Sequence, residues 1–133
     1  MHVKLQLVLC TDDDREETVT DIVTLRKDSK RIEHLGLTLS EAKQLLKTIQ
    51  QRLPQQQVDA FLALQAHCQT CGAMLKVKGY HTRLFRTLFG TFKCRSPRLL
   101  HCPCRRRKTT SFRPLSALLT ESVAPELLFI ESH

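Results

Sequence analysis

Four of the six cysteines of this 133-residue chain come in two close pairs, Cys68 and Cys71 in CQTCG and Cys102 and Cys104 in CPC. A C-x-x-C turn lets two thiolates face one ion, and the following glycine lets backbone N–H groups approach the sulfurs. Thirty residues lie between Cys71 and Cys102, enough for one hairpin to return the chain and deliver the second pair. The expectation is a structural Zn²⁺ held by Cys68, Cys71, Cys102 and Cys104, closed to water by four thiolates. Such an ion would also stabilise a segment too small to bury an adequate core. The C-x-C half is tighter than the common C-x-x-C, so His101 and Cys94 stand as alternatives to Cys104. His67 and His81 are read as surface residues, Cys94 as a small buried hydrophobe and Cys10 as core of the first strand.

Other chemistry for paired thiols fits less well. A redox C-x-x-C belongs at the start of a helix in a β-α-β setting, whereas here a glycine and a hairpin follow it. Three disulfides would suit a secreted chain, but the N-terminal MHVKLQLVLCTDDD alternates and runs into aspartates, unlike a secretory signal. No apolar run is long enough to cross a bilayer. The expectation is a cytoplasmic protein without membrane contact, whose clustered cysteines bind metal. Asp12, Asp13 and Asp14 are adjacent in one turn and read as a plain acidic loop, since they cannot converge on a metal pair as catalytic carboxylates from separate elements do.

The cations are placed as unevenly as the cysteines. Residues 1–66 carry nine Lys/Arg against ten Asp/Glu, whereas residues 67–113 carry twelve Lys/Arg and no acidic residue. A solvated surface ordinarily mixes signs. A one-sign segment points to a polyanionic partner, because Lys and Arg gain affinity for phosphates by releasing condensed counterions. The candidate nucleic-acid contacts are Arg83, Arg86, Lys93, Arg95 and Arg98 on the hairpin, with Arg105, Arg106, Arg107 and Lys108 directly after the last cysteine. Lys76 and Lys78 lie at the hairpin's base. A zinc-ribbon interaction protein that binds RNA or an acidic protein partner is the alternative.

The elements that must position these groups follow from periodicity. Val3, Leu5, Leu7 and Leu9 alternate with polar residues, the pattern of a half-buried strand. ETVTDIVTLR reads as a second strand and TDDDRE as the turn between them, and RIEHLGL as a short third strand or a connector. Thr38 and Glu41 have capping-box spacing, and Leu39, Ala42, Leu45, Leu46, Ile49 and Leu53 form one helical face. Pro54 should kink that helix or start another, with the pattern resuming at Val58, Phe61 and Leu62. RLFRTLFGTFKCRSPRLL reads as two short strands around Phe89–Gly90, with Phe92 and Cys94 on one face and Lys93 and Arg95 on the other. Pro97 marks an edge strand or a strand's end, and FRPLSALLTESVAPELLFIESH reads as short helical pieces. The whole is an α+β chain: a strand-strand-helix unit at 1–66, a zinc-ribbon-like basic hairpin module at 67–113 and a helical stretch at 114–133.

The string CQTCG, KGYHTRLFRTLFGTFKCRSPRLLHCPC, TTSFRPLSALLTESVAPELLFIES resembles the N-terminal region of Kra-type insertion-sequence transposases of bacteria. The N-terminal strands and the LGLTLSEAKQLL…QQQVDAFLA helix fit that region too, so the resemblance spans nearly the whole chain. It implies a zinc-containing module that binds double-stranded DNA at transposon ends. In the family that module precedes a ribonuclease-H-like domain that cuts and joins DNA with three carboxylates and two metal ions. By that resemblance this chain is a truncated, non-catalytic front end, with 114–133 the beginning of a missing downstream domain. Cys94 stands where an aliphatic strand residue is expected.

Overall fold

The computed structural model describes residues 1–10, 12, 13, 15, 17–105 and 110–132, and of Arg105 the backbone alone. It is α+β, with strands β1 (His2–Cys10), β2 (Glu17–Arg26), β3 (Val77–Thr87), β4 (Gly90–Leu100) and β5 (Ser111–Phe112) and helices α1 (Leu39–Gln65) and α2 (Pro125–Glu131). The chain divides into two compact units, Met1–Gln50 and Gln51–His133.

In the first unit β1 and β2 pair antiparallel. Val3, Leu5, Leu7 and Leu9 are half-buried and the residues between them exposed, as alternation requires. Cys10 falls on the exposed parity, so it is not strand core. The register slips between Leu5 and Gln6, where Leu5 faces Val23 and Gln6 faces Asp21. Ile22 is the extra residue of that bulge, so both Ile22 and Val23 are half-buried. RIEHLGL supplies a connector with a single 3-10 turn at Ile32–His34. The capping box forms as its spacing demands: the Glu41 N–H donates to Thr38 Oγ1 at 3.2 Å and the Thr38 N–H donates to Glu41 Oε1 at 2.9 Å. Lys27 Nζ also pairs with Glu41.

Helix α1 is continuous through Pro54. Proline removes one donor, but the ladder on either side keeps the element helical. Its sheltered stripe is narrower than the sequence face. Ala42, Leu45 and Ile49 are half-buried, while Leu39, Leu46 and Leu53 are exposed; within the first unit a two-stranded ribbon offers little area to cover Leu39 and Leu46. From Gln51 onward the same helix serves the second unit. There Val58, Phe92, Cys94 and Leu115 form a buried cluster, with Phe61, Leu62, Phe85 and Leu119 packed against it.

The second unit's sheet has the order β3-β4-β5. β3 and β4 run antiparallel for 11 residues each, longer than the short runs expected. Phe92 and Cys94 point into the core while Lys93 and Arg95 are exposed. Pro97 neither ends β4 nor lies on an outermost strand. It is buried opposite Tyr80, and β4 continues to Leu100. Its missing N–H is tolerated because β5 pairs with β4 only at Leu99 and Leu100. The boundary between units lies inside α1, not at 66/67, since Val58, Phe61 and Leu62 are core of the second unit. Residues 114–119 belong to that unit as well, for Leu115 is its fully buried centre. Among the described residues no helix is long and apolar enough to cross a membrane.

Candidate metal centre

The first cysteine pair sits in a tight loop where α1 ends. Its neck is closed by a bridge between His67 and Met74 and by the Leu75 N–H donating to the Ala66 carbonyl at 2.8 Å. Inside it the Cys68 N–H donates to Ala73 O at 2.8 Å and the Gly72 N–H to Cys68 O at 2.9 Å. Gly72 has φ 76°, a left-handed conformation that costs an L side chain roughly 1–2 kcal/mol. The glycine of CQTCG is therefore set by the backbone path. These bonds turn both sulfurs toward one point.

The second pair arrives on the returning strand. The Leu100 N–H donates to Lys76 O at 2.9 Å and the His101 N–H to Thr110 O at 2.9 Å, which holds the exit of β4 beside the loop. Pro103 then starts a single 3-10 turn, Pro103–Arg105, that brings Cys104 back toward Cys102. His101 stands outside the four-sulfur group: its Nδ1 lies 2.6 Å from Thr110 Oγ1, and its ring stacks on Phe112 with centroids 4.6 Å apart. Cys94 lies in the core, where burial pushes its thiol pKa up.

The ligand atoms of Cys68, Cys71, Cys102 and Cys104 all lie within 4.8 Å of one another, and together they could hold a metal ion. Across the pairs, Cys68 Sγ is 3.7 Å from Cys104 Sγ and Cys71 Sγ is 3.5 Å from Cys102 Sγ. These separations far exceed the ~2.05 Å of a disulfide. They suit a tetrahedral ion, for four sulfurs at about 2.3 Å from a centre stand about 3.8 Å apart. The electrostatics are those of a crowded thiol set. The backbone N–H groups of Cys71 and Thr70 hold Cys68 down at about 6, the Thr70 nitrogen lying 3.4 Å from the sulfur. Hydrogen bonding to Cys102, burial and the remaining thiols push Cys104 up to about 12. The opposed shifts have different causes: backbone donors favour the Cys68 thiolate, whereas the neighbouring sulfurs disfavour ionisation of Cys104. A cation offsets the second effect.

The expected nucleic-acid contacts are distributed less simply. Lys93 and Arg95 stand on the outer, solvent-facing side of β4, and the Arg95 guanidinium lies over the Tyr80 ring, 4.1 Å from its centroid. Arg98 is exposed and donates through Nε to Ser111 Oγ at 2.7 Å. Arg83 lies on the other side, paired across the strands with buried Cys94, and donates to the Leu119 carbonyl. Arg86 is exposed, with Nη2 2.8 Å from Glu131 Oε1. The Arg105 side chain and Arg106, Arg107 and Lys108 lie outside the described residues. The basic segment is thus not one continuous cationic face among the described residues. Tyr80 shares strand parity with Thr82 and Leu84, and that parity places it on the exposed side of β3. The pairing of Glu131 with Arg86 had no local signal, being 45 residues away.

Comparison of the chain with models of protein families, with curated proteins and with solved structures returns no match.

Proposed function

We propose that the second unit is a zinc-ribbon module that binds duplex DNA through its phosphates and performs no cleavage. The observation that carries the reading is the four-thiol cluster at the base of a hairpin whose segment has no acidic residue. Thiolates select zinc, Cu(I) or iron–sulfur clusters. A mononuclear tetrahedral set with no open position is the structural zinc pattern. The ion would lock the loop and the exit of β4 together and so fix the direction in which the hairpin projects Lys93 and Arg95. Rigid cations lose less entropy on meeting phosphates than mobile ones. The resemblance to Kra-type transposases supports transposon ends as the DNA and a role in recombination. By the same resemblance, cleavage belongs to a ribonuclease-H-like domain whose three carboxylates converge on two metal ions, and residues 67–113 carry no acidic residue.

The test is binding of the zinc-loaded chain to a fluorescent duplex at several salt concentrations, beside an element-specific metal measurement. The expected outcome is one zinc per chain and a steep fall of log K with log salt. Replacing Arg105, Arg106, Arg107 and Lys108 together by Ala should flatten the slope by about 0.9 per lost phosphate contact. Lys93→Ala/Arg95→Ala should do the same on the hairpin. No salt-dependent duplex binding, with firm binding to RNA or to an acidic protein instead, would replace this reading with that of an interaction module.

A further inference from the structure

The turn joining β3 to β4 has the wrong chemistry for a solvent-exposed turn. Thr87 pairs with Gly90, so the loop is the two residues Leu88 and Phe89. Two-residue hairpin loops ordinarily carry Asn, Asp or Gly. Here the positions hold two large apolar side chains, 41% and 47% exposed. The loop is nonetheless well braced. Thr87 Oγ1 donates to Gly90 O at 2.6 Å and accepts the Phe89 N–H at 3.2 Å, and Gly90 takes φ 131°. At its base the Arg86 N–H donates to Ser122 O at 2.9 Å and Arg86 O accepts the Ala124 N–H at 2.8 Å, so the strand edge is buttressed two residues below the loop.

We propose that Leu88 and Phe89 form a wedge that enters the base stack of duplex DNA and kinks it, while the cations of the hairpin hold the flanking phosphates. The inference rests on the duplex-binding reading above and gives the hairpin a specific action within it. The juxtaposition is that of groove-binding wedges: an aliphatic or aromatic tip that unstacks a base step, placed beside Arg and Lys that reach the backbone. Lys93 and Arg95 lie on the outer face of β4, and Arg86, one residue before Thr87, is held by the exposed Glu131 pair, which a phosphate would have to displace. Apolar side chains gain by leaving water for the interior of a base stack, and a braced loop meets it without first being ordered. A protein partner for the same tip would want acidic groups around its own pocket to match these cations.

The experiment uses the full zinc-loaded chain and a duplex with fluorophores at both ends. A second duplex carries 2-aminopurine at successive positions to report unstacking, and a third a two-base mismatch that is already unstacked. The wild type should bend the first duplex, brighten 2-aminopurine at one step and prefer the mismatched duplex by about tenfold, because the mismatch removes the unstacking cost. Leu88→Ala/Phe89→Ala should keep the salt slope but lose the bend, the brightening and the preference. Its loop is solvent-exposed, and circular dichroism with zinc content checks that it folds. Phe89→Leu should retain most of the effect. A wild type that binds duplex with its steep salt slope but neither bends it nor brightens 2-aminopurine overturns the wedge and leaves the duplex-binding reading standing. A wild type that binds no duplex overturns both. Self-association of the wild type that the double substitution abolishes, with DNA bending unchanged, makes the tip a protein contact and also overturns the wedge.

Discussion

With the proposed zinc on the four-thiol cluster, removing it should unfold the cysteine loop and spare the helix before it. Residues 67–75 are nine, and ordering them costs about 9–18 kcal/mol at roughly 1–2 kcal/mol of backbone entropy each. Against this the loop has the Cys68–Ala73, Gly72–Cys68 and Leu75–Ala66 hydrogen bonds, about 1.5–4.5 kcal/mol together at ~0.5–1.5 kcal/mol each. Little apolar burial adds to that, since Cys71, Gly72, Ala73 and Met74 are all exposed. The deficit of about 5–16 kcal/mol matches the ~10–16 kcal/mol that a structural zinc supplies to small peptides. Dividing that figure over four ligands, Cys71→Ser should weaken metal binding by about 100-fold or more. Hydrogen–deuterium exchange read by mass spectrometry is the assay, with and without a strong chelator. Protection should vanish in residues 66–76 and 100–105 and persist across Thr48–Ala63 of α1 and in the Phe85–Phe92 part of the hairpin, where the buried cluster holds. Unchanged protection of 66–76 after metal analysis has confirmed complete removal would refute the reasoning. So would a purified, fully folded chain with no metal and four freely reactive thiols.

Three further outcomes follow from particular contacts. Ser96 is fully buried and its hydroxyl has no hydrogen-bond partner among the described residues, so Ser96→Ala should stabilise the second unit by about 1 kcal/mol or leave it unchanged, read from the urea midpoint. The Lys27 pair, followed by the Thr38 N–H, lowers the Glu41 carboxyl from 4.5 to about 2. Because the folded value is the depressed one, its contribution to stability is complete above about 4.5 and is lost as pH falls toward about 2. Glu41→Gln should remove that acid-side dependence, as followed by circular dichroism from pH 6 to pH 2. Glu131 occupies Arg86 in an exposed pair, which is worth about 0–1 kcal/mol. Under the DNA-binding reading, Glu131→Gln should free Arg86 for phosphate and raise duplex affinity by up to about fivefold, measured by fluorescence anisotropy at low salt.

Local chemistry was legible in the sequence wherever neighbours along the chain decide it. The parity of Val3, Leu5, Leu7 and Leu9, the Thr38–Glu41 capping box and the opposite faces of Phe92/Cys94 and Lys93/Arg95 all depend on residues two or three positions apart. The same parity should have placed Cys10 outside, since it is odd with respect to the apolar set. The pairs Cys68/Cys71 and Cys102/Cys104 announced a four-thiol cluster because their spacing already brings each pair together, and one hairpin is the shortest way to join them. Tertiary structure decided what spacing could not. Pro54 was tolerated within one long helix because the hydrogen bonds before and after it suffice. Cys104 rather than His101 joins the four-sulfur group because the Pro103–Arg105 turn returns its Sγ to 3.7 Å from Cys68 Sγ, while the imidazole stacks on Phe112. Arg83 and Arg86 were taken up by Leu119 and Glu131 of the C-terminal segment, so two of the cations that the composition offered to a polyanion are partnered within the chain. Composition counts charges, but only the packing of segments distant in sequence determines which of them face solvent.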